Sequence, residues 1–133
     1  MTARVLIADK LSPAALSIFK ERGVEADVKT GLSKEELLAI VGDYDGIALR
    51  SATKITADVI KAAKKLKVVG RAGIGVDNVD IPAATAGGVI VMNTPFGNSI
   101  TTAEHAISLM LALARELPAA NASTQGGLRR CAG

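Results

Sequence analysis

Two rhythms alternate along the chain. Short apolar runs occur at 5–8, 46–49, 67–70 and 88–92, with a weaker run at 24–28, and stretches with helical apolar spacing fill the gaps between them. Continuous runs of four or five residues predict strands buried on both faces. The run at 24–28 alternates and carries charge, which places it near an edge. Ser12-Pro13 opens a helix with serine as cap and proline in the first turn; Ala15, Leu16, Ile18 and Phe19 form its apolar face and Gly23 stops it. Ser33-x-x-Glu36 is a capping box, opening a helix through Leu37, Leu38, Ile40 and Val41 that ends at Gly42. Thr56 caps a third helix, whose end carries Lys64 and Lys65 at the negative pole of the dipole. Asp80-Ile81-Pro82 opens a short fourth helix closed by Gly87-Gly88.

A second capping box, Thr101-x-x-Glu104, predicts a long helix to Leu117, stopped by Pro118. Ile107, Met110, Leu111 and Leu113 are among residues that make it apolar around most of its circumference. Such a helix is expected to pack between two bodies and to be poorly covered in a monomer. Residues 119–133 have no periodicity and read as a mobile tail. Strands alternating with helices imply an α/β fold: a flavodoxin-like, doubly wound parallel sheet, plus a long C-terminal helix and a disordered tail. The expected boundaries are a sheet domain at 1–98, an interdomain helix at 99–118 and the tail at 119–133.

Ligands of such sheets bind outside the carboxyl ends of the strands. Three groups follow strand ends here: Arg50-Ser51, the loop at 71–75, and the segment 93–98. In the loop, Gly73 and Gly75 let the backbone take positive φ or approach a ligand closely, and successive N–H groups form an anion-binding concavity. Arg71 adds a planar fork suited to carboxylate or phosphate. Gly73-x-Gly75 also begins like a dinucleotide fingerprint, but Asn78 stands where the third glycine belongs and the next strand ends at Asn93 rather than an acidic residue. The loop therefore reads as a substrate-type anion site.

Composition narrows the picture. Hydrophobic residues make up 49% of the 133 and aromatics 2%, so the core is aliphatic. A net charge of +3 without interleaved aromatics argues against a nucleic-acid partner. The single cysteine, Cys131, cannot form an internal disulfide, which suggests a reducing, cytoplasmic setting. The N-terminus runs straight into a strand without a signal-peptide pattern. No stretch offers about 20 uninterrupted apolar residues, so no membrane role is expected. No metal ligands are assigned.

Arg50-Ser51-Ala52-Thr53-Lys54, the stretch from Gly70-Arg71-Ala72-Gly73-Ile74-Gly75 through Val76-Asp77-Asn78-Val79-Asp80, and Asn93-Thr94-Pro95-Phe96-Gly97-Asn98-Ser99 with Ala103-Glu104-His105 occur in one order. Together they resemble the N-terminal part of the NAD-dependent D-isomer-specific 2-hydroxyacid dehydrogenases, over about residues 4 to 125. The resemblance implies a two-domain enzyme with a flavodoxin-like substrate domain and a Rossmann domain for NAD. It puts Arg50 and Ser51 in the substrate cleft, gives Arg71 and the backbone of Ile74 and Gly75 the acid's anionic groups, and brings Asn98 to the substrate at the domain junction. It makes the helix from Thr101 the start of the crossing into the cofactor domain and part of a dimer. Two arginines and a glycine turn suit a small anionic 2-hydroxy acid bearing phosphate and carboxylate. Other readings stay open: Arg50 as an ordinary strand-end arginine, Asn98 as a helix cap, Asp77 as a turn-fixing residue, His105 as structural.

After about Gln125 the chain departs from the family pattern. The family's G-x-G-x-x-G turn, catalytic arginine, glutamate–histidine pair and the segment completing the substrate domain do not occur in these residues, as a truncation or frame change would produce. No catalytic or cofactor-binding residue is therefore assigned: acid–base chemistry needs a donor within reach and hydride transfer needs a nicotinamide site. Two expectations arise: the substrate-binding portion of such a dehydrogenase, inactive alone, or a non-enzymatic module that associates with itself or a full-length partner through the 101–117 helix. A receiver-type signalling domain would want an aspartate where Arg50 stands.

Overall fold

The computed structural model describes residues 2–127. Five strands, β1 (Arg4–Ile7), β2 (Glu25–Val28), β3 (Gly46–Leu49), β4 (Val68–Arg71) and β5 (Ile90–Asn93), pair in parallel in the order β2-β1-β3-β4-β5. Helices α1 (Pro13–Glu21), α2 (Lys34–Ile40), α3 (Ala57–Ala62) and α4 (Ile81–Ala86) make the crossovers. This is the doubly wound, flavodoxin-like order expected from the sequence, with β2 at an edge. The direction of winding reverses between β1 and β3. Right-handed crossovers then put α1 on one face and α2, α3 and α4 on the other, and α3 touches both α2 and α4.

The core lies on the three-helix face, where Leu6, Ile47, Leu49 and Val69 of the sheet join a cluster with Leu37 and Val59. Each side chain of this kind contributes about 1.5–3 kcal/mol on full burial. Strand parity puts Ile90 and Met92 on the opposite face from Val91, and both are exposed. Beside the N-terminal ends of the strands, Tyr44 is fully buried; its hydroxyl donates to Asp27 Oδ2 (2.9 Å). Arg4 bonds the same oxygen (2.7 Å) and lies over the Tyr44 ring, 5.2 Å from its centroid.

Local signals account for most helix starts. Ser12 Oγ accepts from Ala14 N–H, and Asp80 Oδ1 accepts from Ala83 N–H. The Ser33 capping box closes both ways: Ser33 N–H donates to Glu36 Oε2 (2.8 Å) and Glu36 N–H to Ser33 Oγ (3.2 Å). Thr56 occupies the cap position of α3, but its side chain makes no capping bond and its Oγ1 is buried without a partner among the described residues. Lys64 and Lys65 lie beyond α3, and Lys61 is the basic residue of its last turn.

The chain divides into two compact units, Met1–Gly97 and Asn98–Gly133. In the second, α5 (Ser99–Ala114) is followed by α6 (Leu117–Gln125). Here the sequence expectations need correction. The helix starts at Ser99 with Asn98 at its cap position, so Thr101 lies inside it and the second capping box does not form. It ends at Ala114 rather than Leu117. Pro118 lacks an N–H and its ring would clash with the carbonyl four residues back, so the helix breaks before it; Glu116 takes a left-handed conformation (φ 49°). Pro118 then begins α6, where a first-turn proline forfeits no bond. Residues 119–125, read as part of an aperiodic tail, are thus helical; the rest of that tail from 128, including Cys131, lies outside the described residues. No residue of α5 is buried.

Candidate functional site

Asp9 lies two residues past β1 on one side of the switch point, and Arg50 follows β3 on the other side. The two segments are joined. Asp9 Oδ2 accepts from the N–H groups of Arg50 (2.7 Å) and Ala52 (3.2 Å), both its oxygens lie 3.2 Å from Thr53 N, and Oδ1 accepts from the Thr53 hydroxyl (2.6 Å). Burial alone pushes the Asp9 carboxyl up, but the Thr53 hydroxyl and the N–H groups of Arg50, Thr53 and Ala52 outweigh it and hold the group below its ordinary value. Asn78 grips the same turn from the β4 side: its Nδ2 donates to the carbonyls of Arg50 (2.8 Å) and Thr53 (2.6 Å). Arg50 and Ser51 themselves are exposed.

The next loop runs from Arg71 to Asn78. Just past β4 the ladder continues for one more bond, since Ala72 N–H donates to Leu49 O (2.8 Å). The Arg71 side chain is only 11% exposed and folds over its own loop: Nη1 donates to Gly75 O, and Nη2 lies 3.7 Å from Asp77 Oδ1. This explains both glycines, and differently from the sequence reading. Neither has positive φ. A Cβ at Gly73 would stand 2.7 Å from Arg71 Nη1, and one at Gly75 would stand 2.9 Å from Asp77 Oδ1. The close approach is made by the chain's own side chains, the Arg71 guanidinium at Gly73 and the Asp77 carboxylate at Gly75. Arg71 Nε is buried and unpartnered among the described residues. In the same loop the N–H groups of Ile74, Gly75, Val76 and Asp77 donate to no acceptor among the described residues, whereas Gly73 donates to Arg71 O.

The third segment is tied to the second. Asn93 Nδ2 donates to Ile74 O (2.7 Å) and Thr94 N–H to Gly73 O (3.0 Å). Arg50, Ser51, Arg71, Gly73, Ile74 and Gly75 therefore sit on hydrogen-bonded neighbouring loops at one end of the sheet. Asn98 belongs to the second unit, at the head of α5, and its side chain makes no capping bond. Lys54 borders a separate cavity with Ser33 and Lys34.

These residues do not fit a dinucleotide. The space over Gly73 that a pyrophosphate would need holds the Arg71 guanidinium, and β5 ends in Asn93, which is engaged with Ile74 rather than being an acidic ribose ligand. They fit a small anion better: N–H groups without acceptors among the described residues in a loop that Arg71 folds over, with Arg50 on the neighbouring turn. Sequence reasoning missed Asp9 and Asn78 as organisers of the site. The available signal was a carboxylate immediately after the apolar run at 5–8.

Comparison with known proteins places the chain in a family. Residues 5–133 match the family described as D-isomer specific 2-hydroxyacid dehydrogenase, catalytic domain, and the chain belongs to that family. Among individual relatives, it is 53% identical over 124 residues to a D-3-phosphoglycerate dehydrogenase of Archaeoglobus fulgidus, covering 93% of this chain and 24% of that protein. The solved structure of an NAD+-bound 3-phosphoglycerate dehydrogenase from Entamoeba histolytica superposes with a TM-score of 0.73 at 32% identity, over 84% of this chain and 39% of the other. The PH0520 protein of Pyrococcus horikoshii gives 0.85 at 30% identity, over 96% and 38%. The chain thus spans about a quarter of the length of the curated relatives it matches.

Proposed function

We propose that the chain is the substrate-binding portion of an NAD-dependent D-2-hydroxyacid dehydrogenase that oxidises 3-phosphoglycerate to 3-phosphohydroxypyruvate, the entry to phosphorylated serine biosynthesis, and that these 133 residues do not turn over alone. The observation that carries the reading is the Arg71 guanidinium bonded onto a glycine loop whose Ile74 and Gly75 N–H groups have no acceptor among the described residues. Arg71 and these groups hold one anionic end of the acid and Arg50 with Ser51 the other. Charge-assisted bonds of this kind favour a ligand with two anionic ends. NAD serves the family's reaction; none of the loops described above is assigned to it. The test is calorimetric titration with 3-phosphoglycerate alongside an assay of NAD reduction. Binding without turnover is expected, with Arg71→Ala weakening binding about tenfold or more and Lys54→Ala far less. Equal effects, or turnover, would contradict the reading.

A second role has its own observation. Leu109, Met110, Leu111 and Leu113 on α5 are all exposed, which favours association of two copies, or of this chain with a full-length partner, through that helix.

A further inference from the structure

Asp9 and Asn78, 6% and 9% exposed, are the buried polar side chains among the described residues, and neither belongs to the anion-binding set above. Both bond the same turn. Asp9 takes the N–H groups of Arg50, Ala52 and Thr53 and the Thr53 hydroxyl. Asn78 takes the carbonyls of Arg50 and Thr53. What remains in residues 50–53 is the N–H and hydroxyl of Ser51, which donate to nothing among the described residues, and the exposed Arg50 side chain. The two grips come from the segments that follow β1 and β4, 41 to 44 residues away for Asp9 and 25 to 28 for Asn78, so the turn is held from outside itself.

We infer that Asp9 and Asn78 are positioning residues that lock the 50–53 turn before a ligand arrives, leaving Ser51 N–H and hydroxyl as the turn's donors to a carboxylate or phosphate oxygen. This rests on the reading that the turn lines an anion site. The gain is preorganisation: the turn's conformational freedom is lost on folding rather than on binding. A buried carboxylate is suited to this task because it accepts several N–H groups at once and has no proton to clash with them.

The test is a titration of the 15N-labelled chain with D-3-phosphoglycerate, following the Ser51 amide resonance and its hydrogen exchange. In the unaltered chain the Ser51 resonance moves saturably. Asp9→Asn speeds exchange at Arg50, Ala52 and Thr53 and raises Kd about tenfold, as a turn competent about a tenth of the time would. Thr53→Val removes a single donor to Asp9 and serves if Asp9→Asn does not fold; it raises Kd about threefold. Val41→Ala, a core change away from the turn, lowers stability but leaves Kd and the Ser51 shift unaltered. Binding in which Ser51 does not respond, Kd unchanged in Thr53→Val, or an equal loss in Val41→Ala overturns the inference while sparing the anion site. Absence of binding by the unaltered chain overturns both.

Discussion

Gly73 has no room for a methyl group, and the obstacle is a side chain two positions back. An added Cβ would meet Arg71 Nη1 at 2.7 Å, but a guanidinium is the movable end of a flexible chain. Gly73→Ala is therefore expected to cost less than about 1 kcal/mol in urea unfolding while weakening 3-phosphoglycerate binding by displacing Arg71. Asp9 gives a prediction in pH. Its carboxyl is held below the ordinary value of about 3.9, so its contribution is complete above that value and is lost as pH falls through the lower, folded value. Between about pH 5 and pH 2 the urea midpoint of the unaltered chain should drop more steeply than that of Asp9→Asn. The loops of the candidate site were legible in the sequence, but the partners of their side chains were not. Gly73 and Gly75 announced a close approach without saying that Arg71 makes it at one and Asp77 at the other. The contacts of Asp9 span more than 40 residues, beyond the reach of any local pattern.

Among the elements, the two S/T-x-x-E patterns had different fates. At Ser33 both reciprocal bonds form; at Thr101 the helix has already begun. Ser33→Ala should cost about 1 kcal/mol, and Thr101→Ala close to nothing, as read by chemical unfolding followed by circular dichroism. The pattern marks a helix end only when the preceding residues cannot themselves turn helical. Lys29-Thr30-Gly31-Leu32 stay out of α2, with Gly31 at φ 74°, whereas Ser99-Ile100 simply extend α5. Pro118 was legible as a break but not as a beginning, because a proline ends the helix on its N-terminal side yet is tolerated in the first turn of a new one.

For the whole molecule, periodicity was enough to establish strand number, parallel pairing and edge placement, since apolar runs spaced by helices have few chiral solutions. The α5 surface gives the prediction at this scale. Leu113 is 76% exposed, and sedimentation velocity should show concentration-dependent association that Met110→Glu diminishes; a single monomeric species at all loadings would count against it. Tyr44 has one more consequence. The chain has one tyrosine and no tryptophan, and that phenol is sealed between Arg4 and Asp27 at the amino edge of the strands. Its ultraviolet emission is thus a built-in gauge of whether the sheet is intact. Ligand arriving at the far rim should leave that signal unmoved, so melting and occupancy can be recorded separately on unlabelled material.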